Sequence, residues 1–349
     1  MPNLFDPDLE KTFKKDRQLL EETKLPIVTV SASYQEDLKG FHGLPEIDTP
    51  TDTVFSRAHY SMALASAVQA WGKKIDANKA WVVDPTNYVQ KKDWLSVQLT
   101  EVIGKTLART PVLKKLKDLV DKFGRQKLPI LDSITPPLLY ISQDLDKPIL
   151  SFHIAAGNIL AAQGKQVYQM ITDPHVRDDY LAQAHLPNMT FMVFDEKTKT
   201  DFLEKASIKG KKVNADKVIV TGPPVDPRIV KCGQKKRAWR SGTLKLCLAT
   251  GGLGTNKKEM RRILMQLLPE LRKRPNPYQV LVYAGTHQDI YDMVKDIAAN
   301  NWVGLNEITL RDPADFRPGA KINYKSKPIG KARLSLIYHP QIVDANELL

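Results

Sequence analysis

The stretch from Lys245 to Glu259, KLCLATGGLGTNKKE, constrains the fold more than any other part of this chain. It reads as a buried strand, then a glycine-rich turn, then the start of a helix carrying Met260, Ile263, Leu264, Leu267 and Leu268. Those apolar residues recur at helical spacing, so the helix lays one face on a sheet directly after a strand. Glycines let the backbone approach a ligand closely, and unpaired amides at a helix start favour a phosphate. The turn is therefore a candidate diphosphate cradle. Tight strand-to-helix turns without any ligand are also common, so the local pattern alone leaves both readings open.

The same grammar runs through the rest of the chain. Strand-like runs are expected at Ile27 to Ala32, Ala80 to Asp84, Pro148 to His153, Val167 to Thr172, Thr190 to Phe194 and Lys217 to Thr221. Helical runs lie between them, at Ala58 to Trp71, Trp94 to Leu107, Val112 to Phe123, Ala155 to Gln163 and Glu196 to Ala206. The second half adds Leu244 to Ala249, a helix from Asn256, Tyr278 to Ala284, a helix from Gln288 to Ala299, and Leu334 to Tyr338. Alternating strands and helices argue for parallel βαβ units and Rossmann-like sheets. The polar, basic segment from Val230 to Gly242 suits a linker. The expected organisation is an N-terminal domain over 1–229, a linker over 230–242 and a C-terminal domain over 243–349.

A length of 349 residues accommodates two domains of ordinary size, and 42% hydrophobic with 7% aromatic residues is a globular composition. No apolar run is long enough to span a bilayer, and the charged N-terminus lacks the apolar core of a signal peptide. Cys232 and Cys247, one in a basic loop and one in an expected strand, suggest neither a disulfide framework nor a metal site. A reducing cytoplasm is the plain reading. The net charge of +13 points to an anionic partner: nucleic acid, a membrane surface or a phosphorylated small molecule. No nucleic-acid motif accompanies it and aromatics are not interleaved with the basic clusters, which argues against nucleic acid.

Open α/β sheets place ligands at strand carboxyl ends. Two such ends carry notable residues: Ile171-Thr172-Asp173-Pro174-His175, and Val220-Thr221-Gly222-Pro223-Pro224-Val225-Asp226-Pro227. The proline run continues neither helix nor strand and makes a stiff exit from the first domain.

Taken in order, strand-Thr-Asp-Pro-His, a Gly-x-Pro-Val exit, strand-Gly-Gly-x-Gly and strand-Ala-Gly resemble the two-Rossmann (GT-B) glycosyltransferases. The chain resembles the monogalactosyldiacylglycerol synthases and the peptidoglycan lipid-intermediate N-acetylglucosaminyltransferases among them, from roughly Pro148 onward. The resemblance implies a UDP-sugar donor held by the C-terminal domain and a lipid or other glycan acceptor held by the N-terminal one. It places Gly251, Gly252, Gly254 and Thr255 at the diphosphate, Gly285 and Thr286 beside the nucleotide, and Tyr338, in Tyr338-His339-Pro340, near the base. The family's short histidine loop after the first strand is here a long segment. Gly40-Phe41-His42-Gly43 is its displaced equivalent, with His59 as a rival. The chain also stops where the family continues with a strand, a glycine turn and an acidic residue, so the C-terminal domain reads as incomplete.

An inverting transferase needs a base for the acceptor hydroxyl, and a histidine or carboxylate suits that role. Helix amides stabilise the departing diphosphate, so neither a metal nor another cofactor is required. His42, Asp173 and His175 are the catalytic candidates, with His153 as a substrate-binding one; a structural histidine and an ordinary Asp-Pro turn are the plain alternatives. The Val112 to Phe123 helix sets Val112, Leu116, Leu119, Val120 and Phe123 to one side among four lysines. With the resemblance, this reads as peripheral contact with an anionic membrane, on its inner face. Two rival functions share the architecture: a nucleotide-sugar 2-epimerase and a non-catalytic nucleotide-binding fragment.

Overall fold

Each strand expected from the hydrophobic pattern enters one of two parallel sheets. The computed structural model describes residues 7–32, 57–97, 99, 129–235, 243–273, 278–309 and 332–338. The N-terminal sheet contains β1 (Pro26–Val28), β2 (Trp81–Val83), β3 (Ile149–Ser151), β4 (Val167–Met170), β5 (Met189–Val193) and β6 (Val218–Val220). Their order is β2-β1-β3-β4-β5-β6, every pairing parallel. The chain runs outward from β1 to β2 and then returns to β3 on the other side of β1. That reversal makes the β1/β3 boundary the switch point, where open α/β sheets form a crevice.

Helices α1 (Pro7–Glu22), α2 (Arg57–Trp71), α3 (Pro129–Ile141), α4 (Ile154–Ala162), α5 (Glu196–Ile208) and α6 (Pro227–Lys235) accompany this sheet. The charged look of the N-terminus conceals α1, which buries Leu9, Phe13, Asp16 and Leu20, one residue per turn. Asp16 is tolerated in that stripe because it accepts the Tyr88 hydroxyl at 2.6 Å. Helix α3 was hidden by Pro136 and Pro137, yet Ile130, Ile134, Leu138 and Ile141 form its buried face. The prolines forfeit two backbone donors, and burial of that face outweighs the loss. Residues 94–97 are helical, as expected; the remainder of that run and the Val112 to Phe123 helix lie outside the described residues.

The C-terminal sheet contains β7 (Leu244–Ala249), β8 (Tyr278–Gly285), β9 (Leu305–Thr309) and β10 (Leu334–Tyr338), ordered β7-β8-β10-β9 and parallel throughout. The sequence gives β9 little signal, because Asn306 and Glu307 interrupt its apolar run. Helices α7 (Lys257–Glu270) and α8 (Gln288–Asn300) pack side by side. Met260, Leu264 and Leu268 of α7 join Ile290, Val294 and Ile297 of α8 over Val280, Val282, Leu334 and Leu336.

Two local expectations need correction. β7 is an edge strand rather than a buried one: its leucines are half-buried, while Lys245, Cys247 and Ala249 are exposed. Cys232 lies in α6 instead of a loop, because Asp226 caps that helix firmly. Its carboxylate accepts the Arg228 backbone N–H at 2.8 Å and the guanidinium Nε and Nη2 donors at 2.9 and 2.7 Å. The segment expected as a linker therefore begins as helix.

Candidate functional site

The carboxyl edge of the C-terminal sheet brings together the turn after β7, the turn after β8 and the end of β10. Thr250 N–H bonds the Tyr283 carbonyl at 3.0 Å, so the β7 turn leaves the sheet from a fixed root. Gly254 has φ +60°, a conformation that glycine adopts without strain, and its N–H closes the turn on the Gly251 carbonyl at 3.0 Å. Gly251, Gly252 and Thr255 are exposed, whereas Gly254 is buried. Asn256 precedes α7 without capping it by its side chain, so the first amides of that helix are not taken by their own cap.

The β8 turn is built alike. Gly285 has φ +60°, Thr286 is buried, and α8 starts at Gln288 without a side-chain cap from His287. Two helix starts thus sit on neighbouring strands at the same edge, each with its positive dipole end there. Lys257 and Asp289 join them by an ion pair of 3.0 Å. A register shift between Ile337 and Tyr338 sets Tyr338 opposite Gly285, and its hydroxyl donates to the Thr286 carbonyl at 3.3 Å. Gly251, Gly252, Gly254, Thr255, Gly285, Thr286 and Tyr338, singled out from sequence, therefore share one edge of one sheet. His287, which sequence reasoning passed over, lies between the two turns: its Nε2 is 3.2 Å from the Gly251 carbonyl. Its only signal was its place three residues past Ala284 in a strand-turn-helix junction.

Beside Tyr338, the Tyr291 ring packs edge-on at 5.2 Å, and its hydroxyl donates to Glu307. Burial first, and then the Glu307 carboxylate, push the Tyr291 phenol well above its ordinary value. Glu307 moves the opposite way, held low by that hydroxyl and, against its own desolvation, by Lys295 at 3.0 Å.

At the switch point of the N-terminal sheet, the backbone after β1 reaches Ala32 with φ +52°, a left-handed conformation unusual for a side chain with a Cβ. Just before it, Ser31 donates its N–H and its hydroxyl to buried Asp84, each at 3.0 Å. The other oxygen of Asp84 accepts the Thr86 N–H at 3.0 Å and the Thr86 hydroxyl at 2.6 Å. Across the boundary, His153 follows β3 and caps α4, its Nδ1 accepting the Ala155 N–H at 3.3 Å. The His59 ring of α2 packs against it edge-on at 5.3 Å.

Asp173 and His175 follow β4, next to β3. Asp173 faces Arg177 at 3.4 Å, and no hydrogen bond or ion pair links it to His175 among the described residues. His175 is exposed. Its loop is pinned by Asp201, which accepts the Val176 N–H at 3.0 Å, and by Lys205, which donates to the Val176 carbonyl at 2.7 Å. Burial alone would raise the Asp201 carboxyl, but Val176 and Lys205 outweigh it and hold the group below its ordinary value. The structure thus brings His153 together with His59 rather than with Asp173 and His175. His42 lies outside the described residues.

Among the described residues, no group of three or more His, Cys, Asp or Glu side chains is arranged to hold a metal ion. No helix among them is long and apolar enough to cross a membrane. No known family model matches the chain, and no curated protein matches it.

Proposed function

We propose that this chain is a glycosyltransferase of the two-Rossmann (GT-B) type, which transfers a hexose or N-acetylhexosamine from a UDP-sugar to a lipid or other glycan acceptor. The observation that carries the reading is the pair of glycine turns on β7 and β8. Each feeds a helix start, and both open at one sheet edge beside Tyr338. Exposed glycine backbone next to two uncapped helix starts suits a diphosphate, and it stabilises the same diphosphate as a leaving group. In this reading Gly251, Gly252, Gly254 and Thr255 hold the diphosphate, Gly285 and Thr286 border the nucleoside, and Tyr338 flanks the base.

The acceptor belongs to the N-terminal sheet, whose switch point carries the strained Ala32 and the His59–His153 pair. A base of that domain takes the proton of the acceptor hydroxyl as the sugar transfers. His42 is the first candidate, with His59 as its rival and Asp173 and His175 as the other catalytic candidates. The reading extends to a cytoplasmic protein in peripheral contact with an anionic membrane.

Calorimetry with UDP tests the donor site. Gly252→Val places a branched side chain on the exposed turn and is expected to weaken UDP binding at least about tenfold, or ~1.4 kcal/mol. Unchanged affinity would remove the turn from the site. Incubation with UDP-sugars and lipid acceptors separates the rival activities: a transferase yields glycosylated acceptor, whereas a 2-epimerase releases UDP without one.

A further inference from the structure

We infer that His287 is a positioning residue for the β7 turn: by holding the Gly251 carbonyl inward, it keeps the Gly252 N–H turned out toward the bound anion. The inference rests on the diphosphate reading of that turn. His287 is only 3% exposed, and its Nε2 lies 3.2 Å from the Gly251 oxygen. A carbonyl oxygen only accepts, so Nε2 carries the proton of this bond. The same oxygen also accepts the Thr250 hydroxyl at 2.7 Å and the Gly254 N–H at 3.0 Å. Three donors therefore fix one carbonyl.

The consequence follows from peptide geometry. The bond between Gly251 and Gly252 is planar and trans, so its C=O and N–H point to opposite sides. With the carbonyl fixed toward His287, the Gly252 N–H is directed away from it, on an exposed residue. A Gly-Gly peptide has no Cβ on either side to resist rotation, and nothing lies within 4 Å of where a Gly251 Cβ would stand. Rotated by half a turn, it would set a carbonyl oxygen against the phosphate in place of a donor.

Of the three donors, Thr250 and Gly254 belong to the β7 turn itself; His287 alone comes from the β8 turn. Its backbone is anchored to the β8–α8 junction. The His287 N–H donates to the Ala284 carbonyl at 3.1 Å, and its own carbonyl accepts from Ile290 at 3.1 Å and Tyr291 at 3.0 Å. The neighbouring strand thereby sets the peptide orientation of the cradle.

The test is UDP calorimetry on the full chain with His287→Ala and His287→Gln. His287→Ala is expected to weaken UDP binding about tenfold. Glutamine supplies an N–H of comparable reach and should restore affinity to within about threefold of wild type. Wild-type affinity in His287→Ala overturns the positioning role and leaves the diphosphate site standing. If the unaltered chain binds no UDP, the site reading and this inference fall together. A second measurement does not depend on the variants folding. In glycine-labelled wild-type protein the Gly252 amide resonance must shift in step with UDP saturation, and a stationary resonance while UDP binds also overturns the inference.

Discussion

Gly157 sets how closely α4 lies on the N-terminal sheet, and hence where His153 at its start is held. A Cβ at position 157 would stand 1.8 Å from Gln169 Oε1, 2.9 Å from Gln169 Cδ and 3.2 Å from Ser151 Oγ. The first two distances are well inside van der Waals contact, so Gln169 must move. It is not free to do so cheaply. Gln169 is 1% exposed, and its Nε2 donates to the Met170 carbonyl at 2.8 Å and the Ser151 carbonyl at 3.2 Å. Displacing the amide breaks those bonds inside the core, at about 1–3 kcal/mol. Overpacking adds about 1–3 kcal/mol, and the helix preference of alanine over glycine returns about 1 kcal/mol. Gly157→Ala should therefore destabilise the N-terminal domain by about 1–5 kcal/mol. At about 2–4 °C per kcal/mol for a domain of this size, a thermal melt followed by circular dichroism resolves the shift. Gly157→Ala combined with Gln169→Ala should recover much of the loss, because the clash is with that side chain. The reasoning is refuted if Gly157→Ala raises the melting temperature, as such a change does in an open helix.

Asp84→Ala removes the acceptor of four hydrogen bonds from Ser31 and Thr86 in a buried site, and should cost about 2–4 kcal/mol in a urea titration. Asp84→Asn, which keeps one carbonyl oxygen, should cost less; equal losses would mean that packing rather than acceptance matters there. Tyr291→Phe should change the pH dependence of stability at both ends. Glu307 lies below its ordinary value of 4.5, held there first by the Tyr291 hydroxyl, so that stabilisation is present above this pH and lost as pH falls through the folded value. Tyr291 is raised above 10.0, chiefly by burial, so its contribution is complete below pH 10 and declines above it, where the unfolded phenol ionises first. Melts of Tyr291→Phe should accordingly show a shallower decline than wild type in acid and in strong alkali, and identical profiles would remove both arguments.

How much of this was legible in the sequence divides along physical lines. Strands β1 to β8 and β10 announced themselves because both faces, or one clear face, are apolar, and a parallel sheet needs little more than that. The glycine turns at Gly251–Gly254 and Gly285 were legible for a related reason: a positive φ at Gly254 and Gly285 leaves a composition mark in the chain itself. Where local propensity and tertiary burial disagree, sequence misled. Pro136 and Pro137 argue against α3, and the charges of the first residues argue against α1; both helices exist because the sheet gives their apolar stripes a surface to cover. β9 is held by its pairing with β10 rather than by its own pattern. The side-chain partnerships were wholly a matter of tertiary structure. His153 meets His59 and not Asp173 because strand order, unseen in the sequence, makes β1 and β3 neighbours, so that the start of α2, a helix packed on β1 and β2, meets the residues that follow β3. His287 meets Gly251 for the same reason, across 36 residues, since β7 and β8 pair in parallel and end together at one edge. Hydrophobic period and glycine placement are properties of the chain; which strand ends become adjacent is decided only when the sheets close.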